Sequence, residues 1–138
     1  MKKLMMLIAS FAFVLSLTPL AQAQMDEQRI WKANVPYTFQ VEDKQLPAGE
    51  YLVKWTGGRL HISSVNGQNR ATFLALPVEG KVTQSKTRLV FNNYGDIHFL
   101  TAVYFAGTEQ SRELLKSKTE MQIARSKRPS QDTVLAGQ

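Results

Sequence analysis

The 138-residue chain contains no cysteine. Disulfides, thiolate metal sites, a cysteine nucleophile and a cysteine-linked lipid anchor are therefore excluded. Histidine is scarce: His61 and His98 are the only two, which leaves few general bases and few metal ligands. There is no glycine-rich phosphate loop, no internal repeat and no low-complexity tract. Beyond residue 23 no apolar run is long enough to cross a bilayer as a helix. What remains is ordinary for a folded domain. The chain is 43% hydrophobic and 20% charged, a composition that buries a core. Its length fits one domain and needs no disulfide or metal to hold it.

Residues 1–23 read as a secretory signal peptide. Lys2 and Lys3 form a positive start, residues 4–17 are apolar apart from Ser10 and Ser16, and Pro19 breaks the helix before the small-x-small site Ala21-Gln22-Ala23. The apolar run is shorter than the roughly 20 residues of a membrane span. Export, to the periplasm or beyond the cell, is therefore expected. Nucleotides and chromosomal DNA then become poor partner candidates.

The formal net charge is +6, which in an unlocated protein would invite a nucleic-acid or membrane-surface reading. Its distribution argues otherwise. Lys2 and Lys3 belong to the signal. Residues 112–128 hold six basic and two acidic residues, and the rest of the chain from residue 24 is balanced, with nine of each.

From Ile30 onward, short apolar segments alternate with turn signals. After a flexible leader at 24–29, residues 31–41 place Trp31, Ala33, Val35, Tyr37, Phe39 and Val41 on one period-two stripe, interrupted by Pro36. Strands are predicted at 50–56, 59–65 and 68–78, joined by Gly57-Gly58 and Asn66-Gly67 two-residue turns. Closing both turns tightly pairs Trp55 with Leu60 and Leu60 with Phe73. The same closure pairs Val53 with Ile62 and Ile62 with Ala71. Both rows are apolar and share a face, and Lys54, His61 and Thr72 occupy the other. A slip of one residue would destroy this agreement.

Strands at 87–93 and 97–105, linked through Tyr94-Gly95-Asp96, are apolar on both faces and are expected to be covered on both sides. Residues 111–128 are expected to form a basic helix capped by Ser111 and ended by Pro129, and residues 129–138 a disordered tail. The predicted fold is thus all-β: an antiparallel meander over 30–110 forming a small sandwich or partly closed barrel, with a C-terminal α-helix.

The segments Val35-Pro36-Tyr37-Thr38-Phe39, Leu46-Pro47-Ala48-Gly49-Glu50-Tyr51, Leu89-Val90-Phe91-Asn92-Asn93-Tyr94-Gly95-Asp96 and Arg112-Glu113-Leu114 occur together across most of residues 33–120. As a set they resemble a group of small exported β-rich proteins of soil and environmental bacteria. The chain departs from that pattern at Ser111, where the group has Gly. The resemblance implies a fold and an address, not an activity.

No constellation assembles a nucleophile, a base and an orienting group, so no catalytic, metal or cofactor-binding residue is assigned and the protein is expected not to be an enzyme. The expected role is an exported, non-catalytic β domain with an interaction or envelope-associated function. The alternative is a small-ligand or carbohydrate-binding module, and a third reading is a hydrolase with an unrecognised site. Candidate binding residues are Trp31, taken as the freer of the two tryptophans, and Tyr94, Asp96 and His98 around the second hairpin. The partner is expected to be an exported protein, an envelope surface or a small ligand, and not nucleic acid. The basic helix offers a route to anionic membranes, but it lacks the broad apolar face that a surface helix needs.

Overall fold

The computed structural model describes residues 29–80 and 82–137. The signal peptide and residues 24–28 of the leader lie outside the described residues. Ten strands and one short helix follow one another: β1 (Ile30–Val35), β2 (Phe39–Val41), β3 (Lys44–Leu46), β4 (Gly49–Thr56), β5 (Arg59–Ser64), β6 (Arg70–Glu79), β7 (Thr87–Tyr94), β8 (Ile97–Tyr104), β9 (Gln110–Leu114), α1 (Lys118–Ala124) and β10 (Ser130–Gly137).

The strands form one sheet in the order β3-β2-β8-β7-β10-β1-β4-β5-β6-β9. Pairing of β8 with β9 closes it, matching Val103 with Arg112 and Tyr104 with Ser111. The result is an eight-stranded closed antiparallel barrel, with β2 and β3 appended to β8. Of the two forms expected, the sandwich is therefore set aside. A closed barrel removes the unpaired edges that an open sheet would expose.

The meander holds in the predicted register. Leu60 faces both Trp55 and Phe73, Ile62 faces both Val53 and Ala71, and His61 lies between Lys54 and Thr72. His61 Nδ1 is 3.0 Å from Thr72 Oγ1. Gly57 and Gly58 both have positive φ, 60° and 74°, as a tight two-residue hairpin requires. The second tip is wider than a two-residue turn. The Gly67 amide donates to the Ser64 carbonyl at 2.8 Å, so the bend begins at Ser64 while the register is kept.

Predicted strand 31–41 breaks at Pro36 into β1 and β2. Beyond the break, the β2–β3 hairpin sinks Phe39, Val41 and Leu46 into the core cluster. Phe39 meets Tyr51 and Phe91 edge to face at 5.1 and 5.5 Å. These side chains stop the end of the barrel where β1 finishes and β4 begins.

The β7–β8 ladder contains a register shift. Val90 faces Ala102, but Phe91 faces Leu100, leaving Thr101 without a partner. The bulge swaps faces along β8. Leu100 and Val103 therefore both belong to the core cluster, whereas Phe99 and Ala102 lie on the outer face. Part of what reads as apolar character on two faces is this change of phase. The outer face is covered by α1, whose buried Glu120 accepts hydrogen bonds from Asn92 Nδ2 and the Tyr94 hydroxyl, each 3.1 Å.

Three expectations for the C-terminal region are corrected. Residues 110–114 form β9, because β6 and β8 both offer open ladder positions there. Ser111 is consequently no helix cap; its hydroxyl donates to the Val78 carbonyl. The helix is seven residues, capped by Ser117, whose Oγ accepts from the Glu120 amide at 3.1 Å. Residues 130–137 form β10, the stave between β7 and β1, rather than a tail. The β domain thus runs to Gly137.

Candidate binding mouth

Side chains alternate across each strand, so the inward stripe can be followed to the end of the barrel opposite the plug. On β1 it ends at Trp31, on β4 at Trp55, on β7 at Thr87 and on β10 at Ala136. On β9 the inward residues are Leu114 and Arg112, two apart, facing Ala75 and Pro77 of β6. Phe105 follows β8 and packs on Trp31 with ring centroids 4.7 Å apart.

Two adjoining hollows open at this end. One, of about 210 Å³, is lined by Trp31, Trp55, Phe105, Thr108 and Arg112 among others. The other, of about 530 Å³, lies toward Ser85, Lys86, Thr87 and Leu135. They share Arg29, Trp31 and Ala106. Among the described residues the lining holds three cations, Arg29, Lys86 and Arg112, and no carboxylate. None of the three has an ion-pair partner among the described residues.

Arg112 is the unusual member. Its guanidinium carbon lies 4.7 Å from the centre of the Trp55 ring, a cation–π distance. One terminal nitrogen donates to the Ser111 carbonyl at 3.2 Å. Its Nε is buried and has no partner. An inward arginine that lines a hollow and has no ion-pair partner among the described residues is where an oxyanion from outside would gain most.

The four candidate residues named from sequence do not converge. Trp31 lies at the mouth, but its ring is 7% exposed. Trp55 is the more accessible tryptophan, which reverses the expected order. Trp31 is sealed because Phe105 packs on it at a tilt of 42°, while Trp55 is at the rim. Tyr94 lies at the other end of β7 from Thr87, a separation of about 23 Å at strand rise, buried under α1. Burial, the Glu120 charge and its hydrogen bond all push the Tyr94 hydroxyl pKa upward. Asp96 is exposed in the β7–β8 turn. His98 stacks on Tyr37 at 3.8 Å, and its Nδ1 lies 2.6 Å from Asn93 Oδ1.

Tyr37, next to His98, donates to Asp132 Oδ2 at 2.8 Å. Burial first, then the hydrogen bond and charge of Asp132, raise its pKa well above the usual phenol range. This group ties β10 to the segment between β1 and β2. No group of three or more residues with metal-ligating side chains occurs among the described residues.

Arg112 was missed because it reads as the first turn of a basic helix. The available signal was Ser117-Lys118-Thr119-Glu120, a capping-box spacing. It starts the helix six residues later and frees residues 110–114 to be a strand. Comparison of the chain with protein-family models, with curated proteins and with solved structures gives no significant match.

Proposed function

We propose that this is an exported, non-catalytic binding protein whose barrel accepts a small ligand at its open end. One observation carries the reading: the end of the barrel away from Phe39 keeps two adjoining hollows whose lining includes Trp31, Trp55 and Phe105. Eight-stranded barrels have interiors just wide enough either to be filled by side chains or to hold one small ligand. Here the plugged half does the first and the mouth supports the second. Pockets of small-molecule binders are mostly apolar with a few placed polar groups, and that describes this lining.

The other readings have less support. A carbohydrate platform needs exposed ring faces, whereas Trp31 is buried and Arg112 covers Trp55. Partner capture by strand addition needs a free edge. Closure leaves β3, of three residues, as the end strand in the sheet order. The basic residues of 112–128 are divided among β9, α1 and the segments flanking α1, so they form no continuous basic helix for an anionic surface.

The test is a titration with 2-naphthol, a flat neutral probe, followed by tryptophan emission. Saturable quenching is expected in the wild type. It should be lost in Ala106→Trp, which fills the mouth from the loop after β8. Absence of saturable quenching, or equal quenching in Ala106→Trp, would overturn the reading.

A further inference from the structure

Resting on the mouth as the binding site, we infer that its ligand is an anion: a planar aromatic or conjugated molecule bearing a carboxylate or a similar oxyanion. The argument starts from Arg112. Alternation along β9 turns its side chain inward at the mouth, where it is half-buried, and a partly desolvated charge is costly unless partnered. The interior provides the Trp55 face and the Ser111 carbonyl, and leaves Nε buried without an acceptor. Among the described residues no carboxylate lines either hollow. A ligand oxyanion at the terminal nitrogens of Arg112 would supply the counter-charge that the lining lacks.

The guanidinium fork suits an oxyanion with two coplanar oxygens. Arg29 and Lys86, on the rim, add positive potential that favours entry of the same sign of ligand. The body of the ligand is set by the rings. Trp31, Trp55 and Phe105 all contribute to the lining of the inner hollow, and an apolar ring packs against their edges better than a hydroxylated one. At about 210 Å³ the inner hollow takes one or two fused rings, with the anionic end toward Arg112.

The inference is tested with an isosteric pair, 2-naphthoate and 2-naphthamide, by calorimetric titration of the full mature chain. The anion is expected to bind about tenfold or more tightly than the amide, the worth of a charge-assisted hydrogen bond. Its affinity should fall as salt is raised, while that of the amide stays level. Arg112→Gln should erase the difference between the two probes, and Arg112→Lys should keep part of it. Equal affinities in the wild type, or an anion preference untouched by Arg112→Gln, would overturn the inference while leaving the mouth as a binding site. Binding of neither probe would overturn both. Should Arg112→Gln fail to fold, the wild-type comparison and its salt dependence decide the matter alone.

Discussion

At the plugged end, Phe39 meets Tyr51 and Phe91 edge to face, and the Tyr37 hydroxyl is spent on Asp132. At the mouth, Trp31 and Phe105 also pack ring on ring, but Trp55 remains partly open and the Arg112 Nε has no partner. The two ends are built on the same staves with similar ring content. They differ in whether the last inward residues find partners inside the protein. The plugged end spends its aromatic surface on stability, and the mouth holds some in reserve.

Substitutions should separate the ends by size of effect. Ending the chain after Pro129 removes β10, which pairs with both β7 and β1. The barrel then cannot close, and loss of the cooperative thermal transition is expected by circular dichroism. Retention of a sharp transition would show that the plugged half folds without closure. Phe39→Ala and Phe73→Ala, both buried, should each cost about 3–5 kcal/mol in denaturant unfolding. Phe105→Ala, only half-buried, should cost about 1–2 kcal/mol. Equal costs would erase the contrast between the ends.

Hydrogen bonding gives the next tier. Glu120→Ala leaves the Asn92 and Tyr94 donors unpaired under α1 and should cost about 2 kcal/mol. Tyr37→Phe should cost about 1–2 kcal/mol through the lost bond to Asp132. It also carries a pH signature. The folded pKa of Tyr37 is raised above the ordinary phenol value of 10.0, so its contribution is complete below about pH 10 and declines above it, where the unfolded phenol ionises first. Tyr51 and Tyr94 shift in the same direction, mainly through burial. Alkaline destabilisation is therefore expected in the wild type and should be shallower in Tyr37→Phe. Arg112→Gln should change stability least, by about 0.5–1 kcal/mol, through the lost contact with the Trp55 ring. A large loss there would make Arg112 a structural residue.

Much of the first half was legible in local sequence. The turns Gly57-Gly58 and Asn66-Gly67 left one register with two apolar rows, so β4, β5 and β6 could be aligned residue by residue. The Tyr94-Gly95-Asp96 hairpin was equally plain. The C-terminal quarter was not. Ser111-Arg112-Glu113-Leu114 has helix-forming residues, and its strand state depends on β6 and β8, whose partners of Ser111, Val78 and Tyr104, lie 33 and 7 positions away. Residues 130–137 carry Asp132 on the inward face, which hides the period-two signal until Tyr37 is seen to bond it. A bulge at Thr101 reversed the faces of β8 with no mark in its residue types.

The candidate site divides in the same way. Trp31 could be named from its place at the start of a stripe. Its neighbours at the mouth, Trp55, Phe105, Thr87 and Arg112, come from four other staves. Residue order and composition sufficed for the all-β character, the meander register and the absence of thiol chemistry, since those depend on neighbours a turn apart. Barrel closure, the burial of Glu120 and the inward turn of Arg112 depended on contacts between distant segments. Periodicity in one segment carries no information about which strand will lie beside it. That is why a charge that looked like part of a solvated helix proves to be the inward cation of the mouth.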